Sequence, residues 1–190
     1  MWIDYKKYKH WQLIDQILPF ARNELQTFLI NHTPYDMSDY KWFEEQYGHE
    51  LNPIIRYWYA IPTVRAGKKT PWGKLMPKLE EASLALPGIA NFTLNAIAPG
   101  GTVPLHSDYD YDMREDLSEI TKAYAMVLCV DIPSDDIDKC GFDLGGDTVL
   151  LKTNDIVAFD GSVPHCGWNY TDKWRYTINI DIRGEFWNVA

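Results

Sequence analysis

The chain lacks a surplus of basic residues. Lysine and arginine total 18, aspartate and glutamate total 27, and the formal net charge is −9. A nucleic-acid-binding surface needs a basic footprint, and anionic membranes attract polybasic segments. The charge therefore argues against both kinds of partner.

The chain also lacks long apolar runs and a cysteine motif for metal binding. Its first fifteen residues hold no apolar stretch suited to a signal peptide, and no segment approaches the apolar length that spans a bilayer. Cys129, Cys140 and Cys166 show no CxxC spacing, so we interpret them as reduced core thiols. These features predict a cytoplasmic protein without cysteine-bound zinc.

The sequence does contain enough apolar and aromatic residues for one domain with a sizeable core. It has 190 residues, with eight Trp and twelve Tyr. Residues 1–88 are predicted to be largely helical, with apolar residues at helical spacing between 14 and 29, Pro19 in the first turn of a second helix, and an amphipathic helix at 74–86. We expect this part to pack on a β core formed by residues 89–190.

The β core is predicted from short strand patterns separated by turns. They lie at 90–98, 103–107, 121–131, 147–151, 155–160, 164–170 and 174–183. Such strands without helices between them favour a sandwich, jelly roll or barrel.

A basic loop precedes this core. Residues 63–73 are predicted to form it because of their Gly and Pro content. Its Arg65, Lys68 and Lys69 are interpreted as a solvated loop or, alternatively, as a steering patch for an anionic substrate.

One constellation of residues carries chemistry. His106 and Asp108 are two positions apart in a predicted strand, and such residues share a face. His165 follows a turn in a distant strand. Two histidines and one carboxylate form the facial triad of mononuclear non-haem Fe(II) oxygenases, which leaves coordination positions open. A structural zinc site would instead be closed.

Arg175 strengthens this interpretation. It enters the strand that follows His165. A dicarboxylate that chelates iron at one end needs a cation at the other, and the planar guanidinium matches a carboxylate in bidentate fashion. Thr177 would share the face of Arg175 and could donate its hydroxyl to the same carboxylate.

With these residues in place, the chain resembles the aspartyl/asparaginyl β-hydroxylase branch of the 2-oxoglutarate-dependent dioxygenases. The resemblance covers residues 70–183 and rests on four segments: the Asn95 turn at 95–100, residues 157–162, His165 with Trp168-Asn169, and Arg175 leading into 180–182. It implies a double-stranded β-helix, Fe(II) bound by His106 and His165, and 2-oxoglutarate held by Arg175. Asn95 falls where the family has a serine near the co-substrate.

The chain departs from the family at two places. The founding animal members have glycine at the position of Asp108. This chain instead has the full triad of two histidines and one carboxylate. The carboxylate ligand also argues against a halogenase. The family's strand after the first histidine carries further basic residues, whereas this chain has a mostly apolar stretch there. Lys122 or Tyr124 are the candidates to replace those basic residues.

An acidic run follows the first ligands. Residues 108–119 resemble an EF-hand loop in spacing, but Met113 stands where the required glycine belongs, so a solvated loop or a lid is favoured. From this lid, Asp110 or Arg114 could reach a substrate. The candidates for the substrate pocket are Arg56, Trp58, Trp72, Arg114 and Trp168.

The sequence thus predicts an Fe(II)/2-oxoglutarate-dependent dioxygenase that uses O2 to hydroxylate an unactivated C–H bond. A free or carrier-linked amino acid or a similar small molecule is favoured as substrate, with aspartyl or asparaginyl side chains of peptides or proteins as the alternative. A non-enzymatic cupin-like metal- or ligand-binding module and a cupin-type isomerase are the rivals. We expect a monomer or homodimer.

Overall fold

A computed structural model describes residues 2–31, 35–36, 58–108 and 123–188, with residues 35–36 described by their backbone alone. The helices of this part are α1 (Trp11–Asp15), α2 (Leu18–Asn31) and α3 (Pro77–Leu84). The strands are β1 (Trp2–Ile3), β2 (Tyr35–Asp36), β3 (Trp58–Arg65), β4 (Lys68–Lys69), β5 (Ile89–Ile97), β6 (Gly101–His106), β7 (Ala123–Asp131), β8 (Cys140–Leu144), β9 (Asp147–Val149), β10 (Ile156–Asp160), β11 (His165–Asn169) and β12 (Arg175–Arg183).

The helices form where the apolar spacing predicts them. Pro19 is the second residue of α2, where a backbone N–H would have no partner within the helix. Ala21, Leu25 and Phe28 recur every three or four residues and are buried. Glu24 joins two helices, because its carboxylate accepts hydrogen bonds from the first backbone amides of α3 at 2.9 and 2.8 Å.

The strands form two antiparallel sheets. The large sheet has the order β1-β10-β7-β12-β5-β3-β2, with β4 paired to β3, and the small sheet has the order β6-β11-β8-β9. From β5 onward the strands of the two sheets alternate along the chain, apart from β8 and β9, which follow each other in the small sheet. This is the double-stranded β-helix, and it confirms the predicted β core.

The two faces of strand β12 have different roles. Ile178, Ile180 and Ile182 are fully buried in the cluster that contains the helices. Arg175 and Thr177 point the other way and line the space between the sheets. The same strand therefore anchors the helical layer and supplies polar groups to the interior.

Several predicted boundaries need correction. The predicted helical part, residues 1–88, also contains strands, because β3 and β4 belong to the large sheet. The predicted loop at 63–73 contains the end of β3 and all of β4, joined by a tight turn in which Ala66 and Gly67 have φ of 50° and 72°. Such turns suit the twist of a β-hairpin.

Strand β8 is absent from the sequence prediction. It lies in a stretch rich in aspartate and glycine, which are typical of turns. Pairing on both sides, with β11 and with β9, makes it a strand. Context from distant residues overrides local propensity here.

Asn169 ties the end of β5 to the turn before β12. Its amide nitrogen donates to the carbonyls of Ile97, Ala98 and Lys173 at 2.9, 3.2 and 2.7 Å, and its oxygen accepts from the Thr171 hydroxyl at 2.7 Å. The side chain is fully buried. It therefore fixes the point at which β12 begins.

We predict that Asn169→Ala lowers the free energy of unfolding by roughly 2 kcal/mol or more, because it leaves buried carbonyls without donors. Urea denaturation measures the change. Tyr170→Ser, at the exposed neighbouring position, is the matched control and should stay within about 0.5 kcal/mol of the parent protein. Equal losses in the two variants would contradict this role for Asn169.

Candidate metal centre

The two histidines meet across neighbouring strands. His106 is the last residue of β6, His165 is the first of β11, and the two are register partners. Their ring centroids are 4.3 Å apart. The register of the small sheet thus brings together residues that are 59 positions apart in the sequence (165 − 106).

Hydrogen bonds set the tautomer of both rings. Nδ1 of His106 lies 2.7 Å from the carbonyl oxygen of Pro104, and Nδ1 of His165 lies 2.9 Å from that of Val163. A carbonyl oxygen only accepts, so each Nδ1 must donate its proton. Each Nε2 is then unprotonated, which is the form of imidazole that binds metals.

Asp108 completes the cluster from beyond the strand. Its Oδ1 lies 3.7 Å from Nε2 of His106 and 3.6 Å from Nε2 of His165. Because β6 ends at His106, strand alternation does not place this carboxylate. Instead, the backbone N–H of Asp108 donates to the carbonyl of Gly161 at 2.9 Å.

Gly161 is a supporting residue that the sequence prediction missed. A Cβ atom at this position would lie 2.7 Å from Oδ2 of Asp108. A larger residue would displace the Asp108 carboxylate from its present position. The glycine in the turn after β10 is the only sequence signal that points to this role.

The three side chains form the group in the described residues that could hold a metal ion, with ligand atoms within 4.8 Å of one another. Burial raises the pKa of Asp108 to about 7, and burial lowers the pKa of His165. Without a cation, both groups therefore favour their neutral forms. A divalent ion reverses this preference for Asp108, so the donor set fits a metal.

Aromatic rings surround the histidines. His165 stacks on Phe142 with centroids 5.7 Å apart and meets the edge of Phe159 at 4.8 Å. The ring centroids of Trp58 and His106 are 6.0 Å apart. These rings limit the access of water to one side of the cluster. Phe142 and Phe159 were not singled out in the sequence, because aromatic residues are equally common in cores.

Arg175 lies in the same cavity as the two histidines. This cavity has about 410 Å³ of empty volume, including space open to solvent. Arg175 is 3% exposed, and its Nη1 donates to the carbonyls of Gly141 and Trp168 at 2.7 and 3.0 Å. Its buried Nε has no hydrogen-bond partner.

Among the described residues, no carboxylate pairs with this guanidinium. The nearby thiols do not supply a counter-charge. Burial raises the pKa of Cys129 to about 12 and also raises that of Cys140, so both are neutral near pH 7. Arg175 thus carries a buried charge that the described part of the chain leaves uncompensated.

Gly167 leaves room for the guanidinium of Arg175. A Cβ atom at this position would lie 3.3 Å from Nη1 of Arg175, closer than side chains usually approach. The glycine follows an irregularity in the pairing of β11 with β6.

Asn95 and Thr177 face the cavity beside Arg175. They are register partners on β5 and β12 and are both 5% exposed. Asn95 accepts a hydrogen bond from the indole of Trp58 at 2.8 Å through its oxygen. In the described part of the chain, neither its amide nitrogen nor the Thr177 hydroxyl has an acceptor.

The described residues of the predicted substrate pocket lie in different parts of the structure. Trp58 lies beside His106, whereas Trp72 packs against the helical core cluster on the other side of the large sheet. Trp168 points to the outer face of the small sheet, where its ring covers Gly141 and its nitrogen donates to the carbonyl of Ile137. Strand alternation directs it away from the cavity, since His165 points inward. Outside the described residues lie Arg56, Asp110, Arg114 and Lys122.

Fold and donor set together define a class: double-stranded β-helix proteins with an open arrangement of two histidines and one carboxylate that can bind a metal ion. Within this class, the chain belongs to the aspartyl/asparaginyl β-hydroxylase family, whose model matches residues 17–184. The family implies a hydroxylating oxygenase.

Solved structures share parts of this architecture. A conserved protein of unknown function from Streptococcus pyogenes has 11% identity and a TM-score of 0.35, covering 49% of this chain and 63% of its own. A protein with a double-stranded β-helix domain from Klebsiella pneumoniae has 12% identity and a TM-score of 0.38, covering 51% and 70%. A cupin barrel domain protein from Salinispora arenicola has 12% identity and a TM-score of 0.41, covering 68% and 78%.

No curated protein matches the sequence. Among the helices of the described residues, none has both the length and the apolar character needed to cross a membrane.

The proton on Asp108 predicts a pH dependence of metal binding. Since its pKa is about 7 in the metal-free site, an incoming ion must displace a proton below that pH and meets an ionised ligand above it. We expect the affinity for Co²⁺ to rise by up to about tenfold per pH unit below about pH 7 from this group and to level off above it. Equilibrium dialysis across this pH range measures the slope.

Asp108→Asn should bind Co²⁺ more weakly and with a shallower slope. Asp172→Asn, which changes an exposed aspartate in the turn before β12, is the matched control and should follow the parent protein. A slope unchanged in Asp108→Asn would show that this carboxyl is not a ligand.

Proposed function

We propose that the protein is an Fe(II)/2-oxoglutarate-dependent oxygenase that hydroxylates an unactivated C–H bond. The observation that carries the proposal is the buried guanidinium of Arg175, which has an unpartnered Nε and shares a cavity with His106 and His165. Membership in the aspartyl/asparaginyl β-hydroxylase family supports the same chemistry.

The charge of Arg175 requires compensation. A buried charge is costly unless an opposite charge or strong hydrogen bonds compensate it. Two backbone carbonyls solvate one nitrogen, but they bring no negative charge. An anion bound in the cavity would supply it, and a carboxylate matches the planar guanidinium best.

Further hydrogen-bond donors lie beside Arg175. The Thr177 hydroxyl and the Asn95 amide lie on the same inner face as Arg175. Three kinds of hydrogen-bond donor thus surround one end of the cavity. This end of the cavity suits one carboxylate of an extended dianion, and the other end of the dianion can reach the metal centre.

The donor set of the metal centre leaves coordination positions open. His106, Asp108 and His165 would hold an ion from one side and leave further positions to ligands. Oxygen and nitrogen donors without thiolate suit Fe(II). With 2-oxoglutarate and O2, bound Fe(II) supplies the oxidising power for hydroxylation of a C–H bond.

The chain's own residues then have distinct tasks. Asp108 and the two histidines position the ion, and the Nδ1 hydrogen bonds to Pro104 and Val163 orient the imidazoles. Arg175, Thr177 and Asn95 orient the co-substrate. Trp58, Phe142 and Phe159 shield the centre from bulk water.

For the substrate, we favour a free or carrier-linked amino acid or a similar small molecule. The alternative is an aspartyl or asparaginyl side chain in a peptide or protein, which the family description suggests. A non-enzymatic metal- or ligand-binding module of the cupin type is the remaining alternative. It does not require the uncompensated charge of Arg175.

The proposal predicts an optical signature. Under anaerobic conditions, protein loaded with Fe(II) should develop the charge-transfer band of an iron-bound 2-oxo acid when 2-oxoglutarate is added. Asp108→Ala should abolish the band. Arg175→Ala should weaken the affinity by about 100-fold or more, because it removes a buried charged contact.

Asp172→Asn is again the control and should give the parent band at the parent concentration of 2-oxoglutarate. Iron binding without any band in the unaltered protein would refute the oxygenase proposal and favour a binding module. Release of succinate across a panel of amino acids and Asp- or Asn-containing peptides then identifies the substrate.

A further inference from the structure

A second polar cluster lies at the opposite end of the inner face of β12. It consists of Asn91, Asp181 and Arg183, and we refer to it as the mouth cluster. Asp181 and Arg183 follow Arg175, Thr177 and Asn179 on the same side of the strand, because β12 pairs with β7 without interruption from 177 to 183. None of these three residues has a part in the function proposed above.

Asp181 is held by a chain of hydrogen bonds. The Asn91 amide nitrogen donates to Oδ2 of Asp181 at 2.9 Å, and the Asn91 oxygen accepts from the backbone N–H of Ala66 at 3.1 Å. Asn91 therefore links the aspartate to the β3–β4 hairpin. In the described part of the chain, no donor reaches the other carboxylate oxygen of Asp181.

Arg183 is the complementary charge. It is half-buried, and its buried Nε has no hydrogen-bond partner. Within the described residues, no carboxylate pairs with it. The hairpin turn lies beside its guanidinium, since a Cβ atom on Gly67 would be 3.8 Å from Nη2. Asp181 and Arg183 thus stand next to each other without neutralising each other.

The mouth cluster adjoins the metal centre. Across the large sheet, Asp181 is the register partner of Ala125, which is the partner of Phe159. The ring of Phe159 meets His165 with centroids 4.8 Å apart. A molecule bound at the cluster would therefore lie close to the centre, while Arg175 lies at the other end of the inner face of β12.

We propose that the mouth cluster binds the α-ammonium and α-carboxylate of a free amino acid substrate, with Asp181 accepting from the ammonium and Arg183 donating to the carboxylate. This inference rests on the proposed oxygenase function and narrows its substrate class. Residues two apart on a strand are separated by about 6.5–7 Å along it, and their side chains converge on one zwitterion. Lys68, in the adjoining hairpin, adds positive potential that attracts the carboxylate.

The alternative is that Asp181 only fixes Asn91 and the hairpin. A purely structural role and a binding role differ in one measurable respect. Loss of structure weakens every ligand alike, whereas loss of a direct contact removes the preference for one charged group. The experiment must therefore measure selectivity between related ligands.

The test uses the full chain loaded with Zn²⁺, a redox-inactive stand-in for iron, with and without 2-oxoglutarate. Ligand-observed NMR surveys the twenty free L-amino acids, and calorimetry compares each binder with its N-acetyl and carboxamide derivatives. We expect at least one free amino acid to bind. Each blocked derivative should bind about tenfold or more weakly, because one charged group of the cluster then loses its partner.

The variants separate the two contacts. Asp181→Asn should lose the preference over the N-acetyl derivative, and Arg183→Met should lose the preference over the carboxamide. Lys69→Met is the matched control. Its ammonium lies in the same hairpin and pairs with Glu80 at 3.6 Å, so selectivity should not change.

Three results would overturn the inference: no free amino acid binds, blocked derivatives bind as well as free ones, or both variants weaken all ligands equally. Preference for a carboxamide or an Asp- or Asn-containing peptide would assign the site to a carrier-linked or peptide substrate instead. The comparison of free and blocked ligands uses the unaltered protein, so it holds even if a variant fails to fold. If the 2-oxo acid band forms while amino acids fail to bind, this inference is wrong and the oxygenase proposal stands.

Discussion

The uncompensated charge of Arg175 is the constraint on which the proposed site depends. Its guanidinium is buried between two sheets, held by backbone carbonyls and flanked by neutral thiols. Proteins rarely bury a charge without a partner. Here the fold keeps the charge at a fixed place and leaves space in front of it, which is the expected state of a site that receives an anion.

Strand β12 connects this site with the rest of the structure. Its outward isoleucines hold the helical layer, and its inward residues provide polar groups from one end of the cavity to the other. The small sheet contributes the histidines through the register of β6 and β11. Stability and site geometry thus depend on the same strand pairings.

The residues with a distinctive chemical pattern could be predicted from the sequence. His106, Asp108, His165, Arg175, Thr177 and Asn95 have side chains whose types and spacing indicate ligand binding, and the structure brings them together. The roles of Gly161 and Gly167 could not be predicted, because they depend on atoms from distant strands. Strand β8 was missed because only its neighbours make it a strand, and Trp168 was misplaced because alternation from His165 turns it outward.

The central claim is that Arg175 and the metal centre bind the two ends of one dianion. The most direct measurement compares 2-oxoglutarate with 2-oxopentanoate, which lacks the distal carboxylate, by calorimetry on the Zn²⁺-loaded protein and on its Arg175→Met variant. The account predicts that the unaltered protein prefers 2-oxoglutarate by about 100-fold or more and that the variant binds both acids alike. Equal binding of the two acids by the unaltered protein, or an undiminished preference in the variant, would contradict it.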